Sequence, residues 1–156
     1  MRDKSELYSQ LTVDVTAVFE GERDFIANMA NCAALLFQSL PELNWAGFYR
    51  TIGNDLVLGP FQGRPACIRI GPGRGVCGTA AQRGSTIVVP DVHQFPGHIA
   101  CDAASLSEIV VPMLVAGRVV GVLDLDSPIR HRFDDVDAAG LETLVAILLS
   151  SSDVVS

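Results

Sequence analysis

The runs "EIVVPMLV" (Glu108 to Val115) and "RVVGVLDLD" (Arg118 to Asp126) are separated by Ala116 and Gly117 alone. A link this short joins antiparallel strands, because parallel strands need a crossover of roughly a dozen residues or more. The same holds upstream, where "NWAGFYRT" and "DLVLGPF" flank the turn signal "IGND". "ACIRI" and "TIVVP" read as two further strands. The middle of the chain therefore predicts an antiparallel sheet of about six strands.

Both ends change to a helical period. Ser5 to Phe19 carries Leu7, Leu11, Val15 and Val18 at helical spacing, with Ser5 as the expected cap. Asp24 to Leu40 repeats the pattern through Phe25, Met29, Cys32 and Leu36, and Pro41 ends it. "GRGVCGTAAQRG" starts and ends with glycine and predicts a short helix. Asp134 opens a last helix with Val136, Leu141, Leu144, Val145 and Leu148 on its apolar side. Helices packed on one face of an antiparallel sheet make an α+β fold. The other face is left to hold a ligand pocket under the long polar loop from Pro90 to Ala104. With 156 residues and no repeat or linker, the expectation is one domain over residues 1–156, with a core that needs no disulfide staples.

A net charge of −7 argues against nucleic acid, which needs a basic face, and the scattered basic residues argue against an anionic membrane. The N-terminal "MRDKSELYSQ" has no apolar secretory core, and no run approaches the ~20 apolar residues of a membrane helix. A cytoplasmic protein with reduced thiols is expected, where clustered cysteines are more often catalytic or metal-binding than structural.

Cys32 lies on an apolar helical stripe, where a small hydrophobe belongs. Cys67, Cys77 and Cys101 instead sit beside turns, in "GRPACIRI", "GRGVCGT" and "GHIACDA". Cys77 falls in the first turn of the short helix, where free N–H groups favour a thiolate. These three with His98 could bind zinc, although zinc sites usually show tight pairs such as C-x2-C. A redox set of thiols is the better reading, and scattered core cysteines stay open as the bland one.

Asp124 and Asp126, two apart on a strand, share one face, while Leu123 and Leu125 share the other. Such a pair is either a solvated sheet face or a pocket that binds a cation or keeps a proton on a carboxyl. Glu108 on the neighbouring strand is a third candidate. Trp45, Gly47 and Tyr49 alternate on the first strand, either as core or as an aromatic wall with Gly47 leaving room. Aromatics beside acids suit a small ligand with an ammonium group and an apolar or sulfur-containing tail. The hairpin carries a condition. A plain two-residue turn with Val115 opposite Arg118 sets Glu108 opposite Leu125, on the wrong face. Bringing all three carboxylates together requires a bulge or a three-residue loop, and Pro112 favours the bulge.

"NWAGFY", "LGPFQGRPAC", "GRGVCGTA", "VVPDVHQFPGHIACDAASLSEIVVP" and "GVLDLDSP" closely resemble the free methionine-(R)-sulfoxide reductases, stand-alone enzymes of the GAF fold. The match runs from Asn44 to about Asp137. The resemblance implies that Cys101 is the catalytic cysteine, Cys67 the resolving cysteine and Cys77 a third that can join thiol exchange. It implies that Glu108, Asp124 and Asp126 hold the substrate amine and polarise the sulfoxide, against a wall of Trp45 and Tyr49. It also implies a sulfenic acid on Cys101, a disulfide with Cys67, recycling by thioredoxin or a similar dithiol, no metal or organic cofactor, and a homodimer. Two rivals remain: a non-catalytic GAF module that senses a small ligand, and a zinc-binding structural domain.

Overall fold

The computed structural model describes residues 3–99 and 101–154. Helix α1 (Lys4–Phe19) is capped by Asp3, whose carboxylate accepts the Glu6 N–H, rather than by Ser5. Its buried stripe is Tyr8, Leu11, Val15 and Phe19, while Val18 is exposed. Asp24 caps α2 (Phe25–Ser39), which buries Phe25, Met29, Cys32 and Leu36 as expected. Helix α4 (Asp135–Ser150) opens on a capping box in which Asp134 and Asp137 satisfy each other's backbone N–H groups. It buries Leu141, Leu144, Val145 and Leu148, but Val136, one turn in, faces solvent.

Six strands make one antiparallel sheet: β1 (Trp45–Ile52), β2 (Asp55–Gly63), β3 (Arg69–Ile70), β4 (Ile87–Val89), β5 (Ser107–Val115) and β6 (Arg118–Ser127). Their order is β3-β2-β1-β6-β5-β4. The "ACIRI" strand is shorter than expected, because only Arg69 and Ile70 pair with β2.

The two sheet faces have different work. Ala46, Phe48, Ile109, Val111, Met113, Leu123 and Leu125 point to α2 and α4, on which α1 packs, and form the main core. The opposite face carries Trp45, Tyr49, Val110 and Val122 in a smaller apolar cluster. The short helix α3 (Gly75–Arg83) lies on this second face, with Val76, Cys77 and Ala80 buried against it. So three long helices cover one face, and α3 borders the pocket on the other.

The hairpin between β5 and β6 meets its condition in a specific way. Ala116 (φ 51°) and Gly117 (φ 79°) form a two-residue turn with Val115 opposite Arg118. Positive φ at both positions matches the twist of the flanking strands. Leu114 then pairs with Val119, but Met113 pairs with Gly121. Val120 is an extra residue on β6, and this bulge sets Glu108 opposite Asp126. Pro112 does not supply the extra residue. It lies beyond Val110, the last β5 residue paired with β4, where a missing N–H costs no bond to that strand.

Candidate active site

Strands β5, β6 and β1 deliver the site by simple alternation. Trp45 pairs with Asp126, Gly47 with Asp124, and Glu108 with Asp126, so all these side chains leave the same face. Trp45, Tyr49, Cys77, Cys101, Glu108, Asp124 and Asp126 line one cavity. Cys67 reaches it through its partner: Cys67 and Cys101 are joined in a disulfide, with Cα atoms 5.7 Å apart. That separation is ordinary for a bridged pair.

The aromatic wall is ordered by stacking. The Trp45 ring lies 5.3 Å from Phe61 and 5.9 Å from Tyr49, both in stacked orientation. Trp45 Nε1 donates to the Arg64 carbonyl at 3.1 Å, and the Tyr49 hydroxyl donates to the Cys67 carbonyl at 3.0 Å. The wall therefore grips the segment that carries Cys67. Gly47 is required behind it, since a Cβ there would overlap Phe61 and lie 2.8 Å from Trp45 Cη2.

Glu108 and Asp124 are buried and Asp126 is half-buried. Burial pushes all three carboxyls well above the usual carboxylate range, and their mutual repulsion adds to it. Their immediate neighbours differentiate them. The neighbouring Glu108 and Cys77 draw the Asp124 carboxyl partly back down. The neighbouring Glu108 instead holds the Asp126 proton more firmly. Asp124 Oδ1 is buried with no hydrogen-bond partner. The cluster thus stores protons and leaves one oxygen free for a donor.

Cys77 departs from expectation. It does fall in the first turn of α3, but it is buried beside the carboxylates. Burial, then Asp124, Glu108 and Asp126, push its thiol well above the ordinary value, so it is a protonated donor rather than a thiolate. Cys32 is pushed up to about 12 by burial in the main core and takes no part in the site. Since Cys67 and Cys101 are bonded to each other, a three-cysteine zinc set is not formed.

Asn44, beside the site, was not anticipated from the sequence. Asn44 Nδ2 donates to Asp102 Oδ2 at 3.1 Å and to Ser105 Oγ at 3.0 Å, while its backbone N–H donates to the Asp126 carbonyl. It ties the segment after Cys101 to the carboxylate strand. Only its place at the head of "NWAGFY" could have drawn attention to it. His98, weighed only as a zinc ligand, sits with Nε2 3.7 Å from Glu108 Oε1. Its pKa is lowered by burial first and by His93 second.

The GAF domain family profile matches residues 5–151. The chain is 53% identical to the free methionine-R-sulfoxide reductase of Escherichia coli strain K12, over 94% of this chain and 88% of that protein. Its fold superposes with a TM-score of 0.94 on the free methionine-R-sulfoxide reductase of Neisseria meningitidis in complex with its substrate, at 46% identity, covering 97% and 91% of the two chains. A putative GAF sensor protein from Burkholderia vietnamiensis superposes equally well, with a TM-score of 0.94 at 56% identity and 97% and 96% coverage.

Proposed function

The chain belongs to the GAF-domain family and to its free methionine-R-sulfoxide reductases, and from that premise we propose that it reduces free methionine-(R)-sulfoxide to methionine with Cys101 as the attacking thiol. One observation carries the reading: a bonded pair of cysteines and three proton-holding carboxyls face a single cavity. A ligand sensor needs neither.

The chemistry divides among these residues. The substrate ammonium lies at Asp124, whose free Oδ1 accepts it, and the thioether end lies along Trp45 and Tyr49. The Cys101 thiolate attacks the sulfoxide sulfur. Glu108 and Asp126 supply the proton that the oxygen needs as the S–O bond breaks. The hydroxyl passes from the substrate sulfur to the Cys101 sulfur as the S–S bond made by the attack breaks, so the sulfoxide gains two electrons and leaves as methionine while Cys101 keeps the oxygen as a sulfenic acid. The Cys67 thiol then attacks that sulfur, the S–S bond forms, and the oxygen departs as water. A thioredoxin-type dithiol reduces the disulfide and restores both thiols. Selectivity for the free amino acid follows, because a peptide-bound sulfoxide has no ammonium to offer Asp124.

Recycling by such a dithiol requires a reducing compartment, so the reading includes a cytoplasmic location. Among the described residues, no helix is long and apolar enough to cross a membrane. The homodimer that the family resemblance implies is read out by light scattering. The reaction itself is tested by NADPH oxidation with thioredoxin, thioredoxin reductase and racemic methionine sulfoxide. Oxidation that stops at half the racemate is the expected result, and no oxidation above background would overturn the assignment.

A further inference from the structure

The Cys77 thiol has no step in the reaction above, yet it is built into the acidic end of the cavity. Its Sγ and one oxygen each of Glu108 and Asp124 lie within 4.8 Å of one another, all three residues buried. Asp124 is 6% exposed and its Oδ1 lacks a partner. His98 Nε2 is 3.7 Å from Glu108. An ammonium group asks for oxygens, and sulfur is a poor acceptor for it. One soft sulfur and two carboxylates are instead a donor set for thiophilic divalent cations.

We propose that Cys77, Glu108 and Asp124 bind a zinc-class divalent cation, and that the bound cation closes the sulfoxide pocket. The cation acts as an inhibitor here, not as a cofactor of the reaction. Zinc sits about 2.0–2.3 Å from such ligands, so a tetrahedron has edges of about 3.6 Å. The three donors lie within 4.8 Å of one another, so they need to draw in by at most about 1.2 Å, within reach of small side-chain torsions. Binding displaces the protons held by the thiol and carboxyls, so it strengthens as pH rises. The inference goes beyond the reductase reading, and its test does not depend on turnover.

Cadmium, whose thiolate bond gives a charge-transfer absorption, is the probe. It is titrated into the disulfide form, where Cys67 and Cys101 offer no thiolate and Cys32 is buried in the main core. It is also titrated into the Cys67→Ser/Cys101→Ser protein in a non-thiol reductant, which keeps the site open if the disulfide restricts entry. We expect one cadmium retained per chain, with the absorption band, in at least one form. Cys77→Ser should lose the band, and Asp124→Asn, checked for folding by circular dichroism, should bind about tenfold more weakly or worse. Absence of band and retained metal in both forms, or wild-type affinity in folded Asp124→Asn, would overturn the site. Because metal retention is read directly, a failure here leaves the coupled reductase assay to stand or fall separately.

Discussion

Replacing Gly47 by alanine tests whether the aromatic wall is fixed from behind. The added methyl overlaps Phe61 Cβ and comes 2.8 Å from both Phe61 Cα and Trp45 Cη2. Carbon atoms rest at about 3.5–4.0 Å, so each of the latter contacts is too close by about 0.7–1.2 Å. Phe61 Cα belongs to β2 and pairs directly with Gly47, so it cannot retreat without moving the strand. The Trp45 ring lies between Phe61 and Tyr49, and turning it gives up stacking worth about 0.5–1.5 kcal/mol. Overpacking of this kind costs about 1–3 kcal/mol. At about 2–4 °C per kcal/mol for a chain of this size, the melting temperature should fall by about 2–12 °C. Since Trp45 lines the pocket, substrate binding should weaken with it, raising KM by about tenfold while kcat changes less. Thermal unfolding followed by circular dichroism, together with the thioredoxin-coupled assay, measures both. A variant that melts within about 1 °C of wild type with unchanged KM would refute the claim that Gly47 holds the wall in place.

The other expectations concern the chemistry. Cys101→Ser should abolish turnover because a hydroxyl is a poor nucleophile at a sulfoxide, and near-normal release of methionine in a single turnover would reassign the nucleophile. Cys67→Ser should release about one methionine per chain and then stall, because its sulfenic acid lacks a resolving thiol. Full thioredoxin-linked activity in that variant, with loss in Cys77→Ser, would transfer the resolving role to Cys77. Asp124→Asn should lose activity yet gain stability. The native carboxyl holds its proton at pH values where the unfolded one has lost it, so native stability falls as pH rises above about 4. The melting-temperature advantage of the asparagine variant should therefore widen as pH rises above about 4, and a gap that narrows would count against a raised Asp124.

Much of this arrangement was legible because period and link length are local properties. Alternation placed Asp124 with Asp126 and Trp45 with Tyr49, and the two-residue link at Ala116-Gly117 made a displaced register necessary once Glu108 was included. Which residue would supply the displacement was not legible. Val120 looks like any other apolar strand residue, and Pro112 drew attention for a reason that belongs to the short β4. The helical stripes were misread by one position at Val18 and Val136, because apolar residues also occupy solvent-facing turns. The fate of Cys77 depended on tertiary placement. A helix start suggests a thiolate, but α3 lies against three carboxylates, and burial with negative neighbours outweighs the helix N-terminus. The grip of Asn44 on Asp102 and Ser105 spans about sixty residues of sequence and has no local signature.

Strand β6 has, in effect, a reading frame of two, and Val120 is its single frameshift. Upstream of it, counting from the turn at Ala116-Gly117, odd and even positions match β5 in one phase; past it they match in the other. Chemistry and core are written in opposite phases of the same strand, with Asp124 and Asp126 in one and Leu123 and Leu125 in the other. Losing one residue between the turn and Gly121 would restore the unshifted pairing, gaining one would displace it a step further, and either would set Glu108 against the wrong letters of that text. Length in this short stretch is therefore under tighter constraint than residue type, and only changes by two can leave the message intact.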